Sequence, residues 1–228
     1  MNITLCSSFR TATGYLPRYL RQVDALDTLL YHAGHRLSFI WAEGDSTDST
    51  QKMLHAARWR FKTTIVDATH GGPNFDSIVS VRRFAQLAYV ANKVWELLPA
   101  EADAVIWVES DLVWEPAMMV RLIERLQDVP CVGPMVMDSP PAQTYYDVWA
   151  HRRGGVQFTK QPPYHPHIPA TNGCLLEMDS IGSIVAMRGE VARAVYVPVE
   201  DVLVGTCRMI RELGHSVWLD TGAKCFHP

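Results

Sequence analysis

AVIWVESDLVWEP, residues Ala104 to Pro116, decides how the rest of the chain is read. Val105, Ile106, Trp107 and Val108 form a short apolar run suited to a strand buried on both faces. The run ends in Glu109-Ser110-Asp111, and Pro116 then opens an amphipathic helix through Met118, Met119, Leu122, Ile123 and Leu126. The two carboxylates therefore stand where a strand gives way to a loop, the edge of an open α/β sheet at which ligands bind. Carboxyl groups held this way are hard oxygen donors suited to Mg²⁺ or Mn²⁺ carrying substrate phosphates.

Toward the N-terminus the same strand, turn, helix order repeats. Ile3 to Ser7 reads as a first strand, running into the polar turn Ser7-Ser8-Phe9-Arg10-Thr11. Pro17 fits the first turn of a helix whose Leu16, Leu20, Val23, Leu26 and Leu30 recur at helical spacing until Gly34. Leu37 to Trp41 is a second strand, broken by the acidic turn from Glu43 to Thr50 before a helix through Met53 and Leu54. Thr63 to Val66 is a third, and Gly71-Gly72-Pro73-Asn74 is a loop by composition. Asp76 or Ser77 is placed to cap the next helix, which carries Val81, Phe84, Ala88, Ala91, Trp95 and Leu98 on one stripe up to Pro99. Ala104 to Val108 is then the fourth strand of a β-α series, which predicts an α/β fold with a mostly parallel sheet and right-handed crossovers.

Toward the C-terminus, Cys131 to Met137 is a fifth strand and the texture then changes. Residues 138–172 are rich in Pro, Tyr, His and Gly and have no clear period. A segment of that kind inside a compact domain is a candidate binding loop, here for an acceptor. Within it His165-Pro166-His167 reads as loop composition rather than a zinc site, since no cysteine lies near. Regular structure resumes at Cys174 to Met178, Ser183 to Met187, a short helix from Gly189, a helix from about Asp201 to Leu213, and a strand at Ser216 to Leu219. Phe226-His227-Pro228 reads as a tail.

The chain has 228 residues, 48% hydrophobic and 20% charged, enough for a proper core. Its net charge of −3 argues against a protein whose main business is coating nucleic acid or an anionic membrane. The 5 cysteines are odd in number and contain no C-x-x-C pair, so neither a disulfide framework nor a zinc ribbon is expected. No apolar run approaches the ~20 residues of a spanning helix, and the N-terminus is too polar for a signal peptide. A soluble, cytoplasmic protein without a transmembrane segment is the expectation.

Three features occur in the order seen in GT-A-fold glycosyltransferases. Glu109-Ser110-Asp111 resembles their metal-binding D-x-D, Glu43-Gly44-Asp45-Ser46-Thr47-Asp48-Ser49-Thr50 resembles the D-D-G-S-x-D-x-T turn, and His227 resembles their C-terminal metal-ligand histidine. EMDSIGSIVAMRGEV, Glu200-Asp201 and RMIRELGHSVWLD resemble in particular the mannan-polymerase type of α-mannosyltransferase, alongside family 2-like glycosyltransferases. Glu109 replaces the first Asp of the triplet, and Gly44 stands where a second acid of the turn is usual. The resemblance implies a Rossmann-like, three-layer α/β/α GT-A domain over residues 1–228, with a nucleotide-binding half (1–112) and an acceptor-binding half (113–228). It also implies a nucleoside-diphosphate sugar donor and Mn²⁺ or Mg²⁺.

Each candidate residue has two readings. Asp111 is a metal ligand bridging the diphosphate, or a carboxylate meeting a helix dipole. Glu109 binds metal through water or contacts ribose, or is a loop acid. His227 coordinates the same metal, its nitrogen favouring Mn²⁺, or is an exposed tail residue. Glu43 and Asp45 accept hydrogen bonds from ribose or base, or Asp45 and Asp48 build an Asx turn and cap the next helix. Phe9 and Arg10 stack on the base and reach phosphate, or pack and solvate. Arg83 with Arg82, or Arg152 with Arg153, balances diphosphate charge, or lies on a solvated face. Asp201, with Glu200 beside it, is a general base toward the acceptor hydroxyl as in inverting relatives, or a helix cap; stereochemistry stays open. The expected activity is metal-dependent transfer of a hexosyl or pentosyl group to a hydroxyl of a glycan, a small molecule or a hydroxylated DNA base. A nucleotidyltransferase and a non-catalytic nucleotide-sugar or nucleic-acid binding module are the alternatives.

Overall fold

The computed structural model describes residues 1–57, 59, 61–75, 78–140, 144–160 and 173–228. In chain order the elements are β1 (Asn2–Phe9), α1 (Leu16–His32), β2 (Arg36–Glu43), α2 (Thr50–Ala56), β3 (Thr63–Asp67), α3 (Val81–Trp95), β4 (Ala104–Val108), β5 (Val113–Trp114), α4 (Pro116–Arg125), β6 (Cys131–Asp138), β7 (Arg152–Arg153), β8 (Val156–Gln157), β9 (Leu175–Met178), β10 (Ile184–Arg188), α5 (Gly189–Arg193), α6 (Val202–Glu212) and β11 (Val217–His227).

All five residues of β4 are buried, and their alternation divides the core. Ala104, Ile106 and Val108 join α1 and α4 on one side of the sheet, while Val105 and Trp107 join α3, α5 and α6 on the other. This gives three layers around a 9-stranded sheet ordered β3-β2-β1-β4-β10-β6-β11-β5, with β9 on the flank of β11. β1, β2, β3, β4, β6 and β11 run the same way, and β5, β9 and β10 oppose them. The sheet is therefore α/β and mostly parallel, as the β-α periodicity predicts. β10 enters antiparallel between β4 and β6, a pairing between distant segments that leaves no mark in local periodicity.

Local chemistry sets most boundaries. Pro17 sits in the first turn of α1, and Gly34 at φ +77° ends it, letting the His35 N–H reach the Leu30 carbonyl. α3 starts after Ser80, an extended N-cap, and ends at Trp95, short of Pro99. The proposed caps Asp76 and Ser77 lie outside the described residues, as do 141–143 and 161–172 of the variable segment, including His165 and His167. The expected C-terminal tail is instead the end of β11, which passes an irregularity between Asp220 and Lys224 and stays paired with β6 as far as His227. All 5 cysteines are free thiols. Among the described residues no helix is long and apolar enough to cross a membrane.

Candidate functional site

Where β1, β2 and β4 end, and against α3 from Arg83 to Ala91, a cleft of ≈ 340 Å³ opens. Its acidic corner is built by alternation. Ser110 turns inward at 6% exposure, its hydroxyl donating to the Ser8 carbonyl at 2.6 Å and meeting the Tyr15 hydroxyl at 3.3 Å. With Ser110 anchored, Glu109 and Asp111 line the cleft on either side of it. Arg18 fixes the turn from behind by donating to the Asp111 carbonyl.

The same turn leads into β5, where Val113 pairs with Phe226 and Trp114 with Cys225. That register carries the neighbouring His227 back to the acids, and its Nε2 lies 3.3 Å from Asp111 Oδ2. The hydrogen bond to Asp111 raises the imidazole pKa, working against partial burial. Tyr146 stacks face to face on the same imidazole, with centroids 3.8 Å apart and planes 8° apart. Burial, then the nearby charges of Asp111 and Asp147, pushes the half-buried Glu109 up to about 8, with a hydrogen bond to Ser183 easing the shift. Asp111, Glu109 and His227, named from positions far apart in sequence, are thus brought together. Tyr146, Asp147 and Ser183 join them without having been singled out, because only long-range pairing places them there.

On the opposite side, the sequence-based readings separate. Asp45, at φ +57°, accepts from the N–H groups of His70 and Gly71, which hold its carboxyl below the usual range. It organises the loop after β3. Asp48 accepts from the hydroxyl and N–H of both Thr13 and Thr50, tying the start of α1 to that of α2. Glu43 ends β2 beside Phe9 and is 4% exposed, while Gly44 lines the cleft. Phe9 borders the cleft, but its ring packs edge-on against Tyr19 at 5.0 Å and Trp41 at 5.8 Å, the arrangement of a core residue. Arg10 donates to the carbonyls of Gly72 and Pro73 and so braces the loop that carries His70, Asn74 and Phe75 into the cleft. The Gly72 N–H donates to His70 Nδ1, which leaves the ring proton of neutral His70 on Nε2. Arg83 lines the cleft and Arg82 is exposed.

Asp201 is not among the residues that line the cleft. It precedes α6 without capping it, and its carboxylate pairs with Arg208 at 2.6 Å over Gly205. Glu200 is exposed, and the cleft wall at this point is made by Val202 and Leu203. The cap reading is not met, since the Asp201 side chain makes no capping hydrogen bond to α6. Val202 holds φ +41°, a costly conformation for a β-branched residue, on the cleft wall.

The donor set suits a hard divalent cation only in part. Asp111 and His227 present one carboxylate and one imidazole with Glu109 nearby, while among the described residues no group of three His, Cys, Asp or Glu side chains forms a ready metal cage. Cations of this type are commonly held by one or two protein groups plus waters and substrate phosphates, so the residues present fit.

No protein-family model matches the chain, and no curated protein matches it in sequence. Solved structures do match in fold. TarS 1-349 of S. aureus superimposes with a TM-score of 0.62 at 11% identity over 99% of this chain and 60% of its own. Its complex with UDP-GlcNAc gives 0.62 at 9%, over 99% and 58%. The mannosyltransferase PcManGT from Pyrobaculum calidifontis, in complex with GDP-Man and Mn²⁺, gives 0.63 at 14% identity, over 98% and 56%. The chain thus spans 56% to 60% of the length of these structures. Its layers, its mostly parallel sheet and these superpositions identify the architecture as the GT-A fold.

Proposed function

We propose that the cleft binds a nucleoside-diphosphate sugar and transfers the sugar to an acceptor hydroxyl, with Mn²⁺ or Mg²⁺ held by Asp111 and His227 and Glu109 beside them. The observation that carries this reading is the meeting of Asp111 with His227 at 3.3 Å, a pairing made by the last strand of the sheet returning to a strand-end acid. The fold shared with structures that contain UDP-GlcNAc or GDP-Man supports the donor class. When bound, the cation would neutralise charge building on the diphosphate leaving group. Arg83, on the cleft wall, adds a cation on the phosphate side. The loop bearing His70, Asn74 and Phe75, held by Asp45 and Arg10, shapes the nucleoside end. In this reading residues 1–112 supply the nucleotide side, and 113–228 supply His227 and the acceptor side. Glu200 and Asp201 are left out of the chemistry, since Asp201 pairs with Arg208.

The test is Asp111→Ala assayed for Mn²⁺-dependent transfer or hydrolysis over a panel of sugar nucleotides. Asp111 is 42% exposed in its side chain, so the fold should survive. Loss of about 10²- to 10³-fold in turnover is expected, the range for removing one preorganised group at a developing charge. Wild-type rates in the variant would remove Asp111 from the reaction.

A further inference from the structure

Two consecutive residues of the variable segment, Tyr146 and Asp147, reach the two arms of the acidic corner. Tyr146 covers one face of His227 at 3.8 Å. The backbone of His227 is held from the same segment, because the N–H and hydroxyl of Ser139 both donate to its carbonyl, at 3.0 and 2.9 Å. The Tyr146 N–H in turn donates to Val136 in β6, so the stacking ring is fixed to the sheet rather than hung from a free loop.

Asp147 faces the other arm. Its Oδ2 accepts from the Ser183 hydroxyl at 2.7 Å and its Oδ1 from the Ala150 N–H at 3.1 Å. Ser183 then accepts the Glu109 N–H on its own carbonyl at 3.0 Å. The approach is close enough to dictate residue type. A Cβ on Gly182 would lie 2.6 Å from Asp147 Oδ2 and 2.3 Å from the Ala150 Cβ, and Ser183 adopts φ +57° to make the turn. A non-glycine residue in the left-handed region is strained, and it persists only where its surroundings hold it.

We infer that Tyr146 and Asp147 form a strut that positions both arms of the proposed metal corner, Tyr146 by stacking on His227 and Asp147 through Ser183 on Glu109. This rests on the metal reading of Asp111 and His227. Both are positioning residues, acting through groups that would touch the cation or the donor. The strut belongs to the segment that leads to the acceptor side, so the placement of that segment and the affinity for metal become one property.

The test compares Tyr146→Phe, Tyr146→Leu and Asp147→Ala with the wild type, folding being checked by circular dichroism. Mn²⁺ affinity is measured by electron paramagnetic resonance in the presence of UDP and of GDP, and the His227 imidazole is followed by NMR in the metal-free protein. Phe keeps the ring and should bind Mn²⁺ within about twofold of wild type, whereas Leu and Asp147→Ala should lose about tenfold or more, the usual effect of removing a group that orients a ligand. The Leu variant should also lose the ring-current shift on His227, while Asp147→Ala should leave it in place. Unchanged affinity in Tyr146→Leu, with wild-type binding intact, overturns the strut alone. A wild type that takes up no Mn²⁺ with either nucleotide, while the His227 shift still follows Tyr146, overturns the metal reading and the strut with it.

Discussion

Gly44 interrupts the acidic turn after β2, and contact distances explain why no side chain fits there. A Cβ there would lie 2.5 Å from the Ala68 carbonyl carbon and 2.5 Å from the Thr69 nitrogen, both backbone atoms that cannot swing aside. The chain after β3 therefore packs directly on the turn after β2, and Asp45, one residue on, ties the two with its bonds to His70 and Gly71. Gly44→Ala should lower stability by about 1–3 kcal/mol, as overpacking does, seen as a drop in melting temperature of the free protein. An unchanged melt would show that residues 68 and 69 move away without cost. The acidic character of this turn was legible in sequence, but the partner of each acid was not. Asp45 and Asp48 look alike as text, yet one serves the loop after β3 and the other the starts of α1 and α2. Phe9 is similar: it ends β1 and borders the cleft, while its ring completes a cluster with Tyr19 and Trp41, and that packing was not legible because it depends on residues far along the chain.

At the scale of elements, α4 and β11 are joined by a clasp. Asp220, fully buried, accepts from Arg121 Nε at 2.8 Å, from Arg125 Nε at 2.9 Å and from the Gly222 N–H at 2.8 Å. Burial by itself would raise the Asp220 pKa, but these hydrogen bonds outweigh it and hold the carboxyl below its usual range. A depressed folded-state value means that the stabilisation is present above the unfolded value of about 3.9 and is lost as pH falls through the folded one. The denaturation midpoint should therefore fall as pH drops below about 4, and in Asp220→Asn that part of the slope should vanish. Because Asp45 and Asp48 are also held low, the difference between the two proteins is the quantity to read. Near neutral pH the Asn variant should be less stable by about 2 kcal/mol, the scale of hydrogen bonds to a charged group. Equal slopes would assign the acid sensitivity to other carboxylates. The Asp220 clasp sits at the irregularity in β11, the feature least visible in sequence. Strands β1 to β4 and helices α1, α3 and α4 could be read because their apolar spacing is local. β5, the reversal of β10 and the extension of β11 to His227 depend on partners far along the chain, so a histidine within a strand read as a tail.

For the molecule as a whole, the proposed site is incomplete until its substrate arrives. The protein contributes a carboxylate from the middle of the chain and an imidazole from its last strand, with Glu109 half-buried beside them, and no third side chain of the described residues closes a cage. A hard cation that prefers about six oxygen or nitrogen donors must then draw the others from water or from diphosphate oxygens. Diphosphate oxygens carry charge, and in the proposed reading the ligand bearing them would be held by Arg83 and the loop with His70, which line the cleft, so they would replace water with a gain in binding free energy. Mn²⁺ should accordingly bind weakly alone and about tenfold or more tightly when UDP or GDP is present. Thermodynamic linkage requires the nucleotide to gain by the same factor from Mn²⁺. Calorimetric titration in both orders measures the two factors. Tight Mn²⁺ binding without nucleotide would show that the chain completes the coordination shell by itself, and a nucleotide affinity indifferent to Mn²⁺ would place the diphosphate away from Asp111 and His227. A gain of about tenfold or more in both orders would place the cation and the diphosphate in one site, built by Asp111 from the middle of the chain and His227 from its last strand.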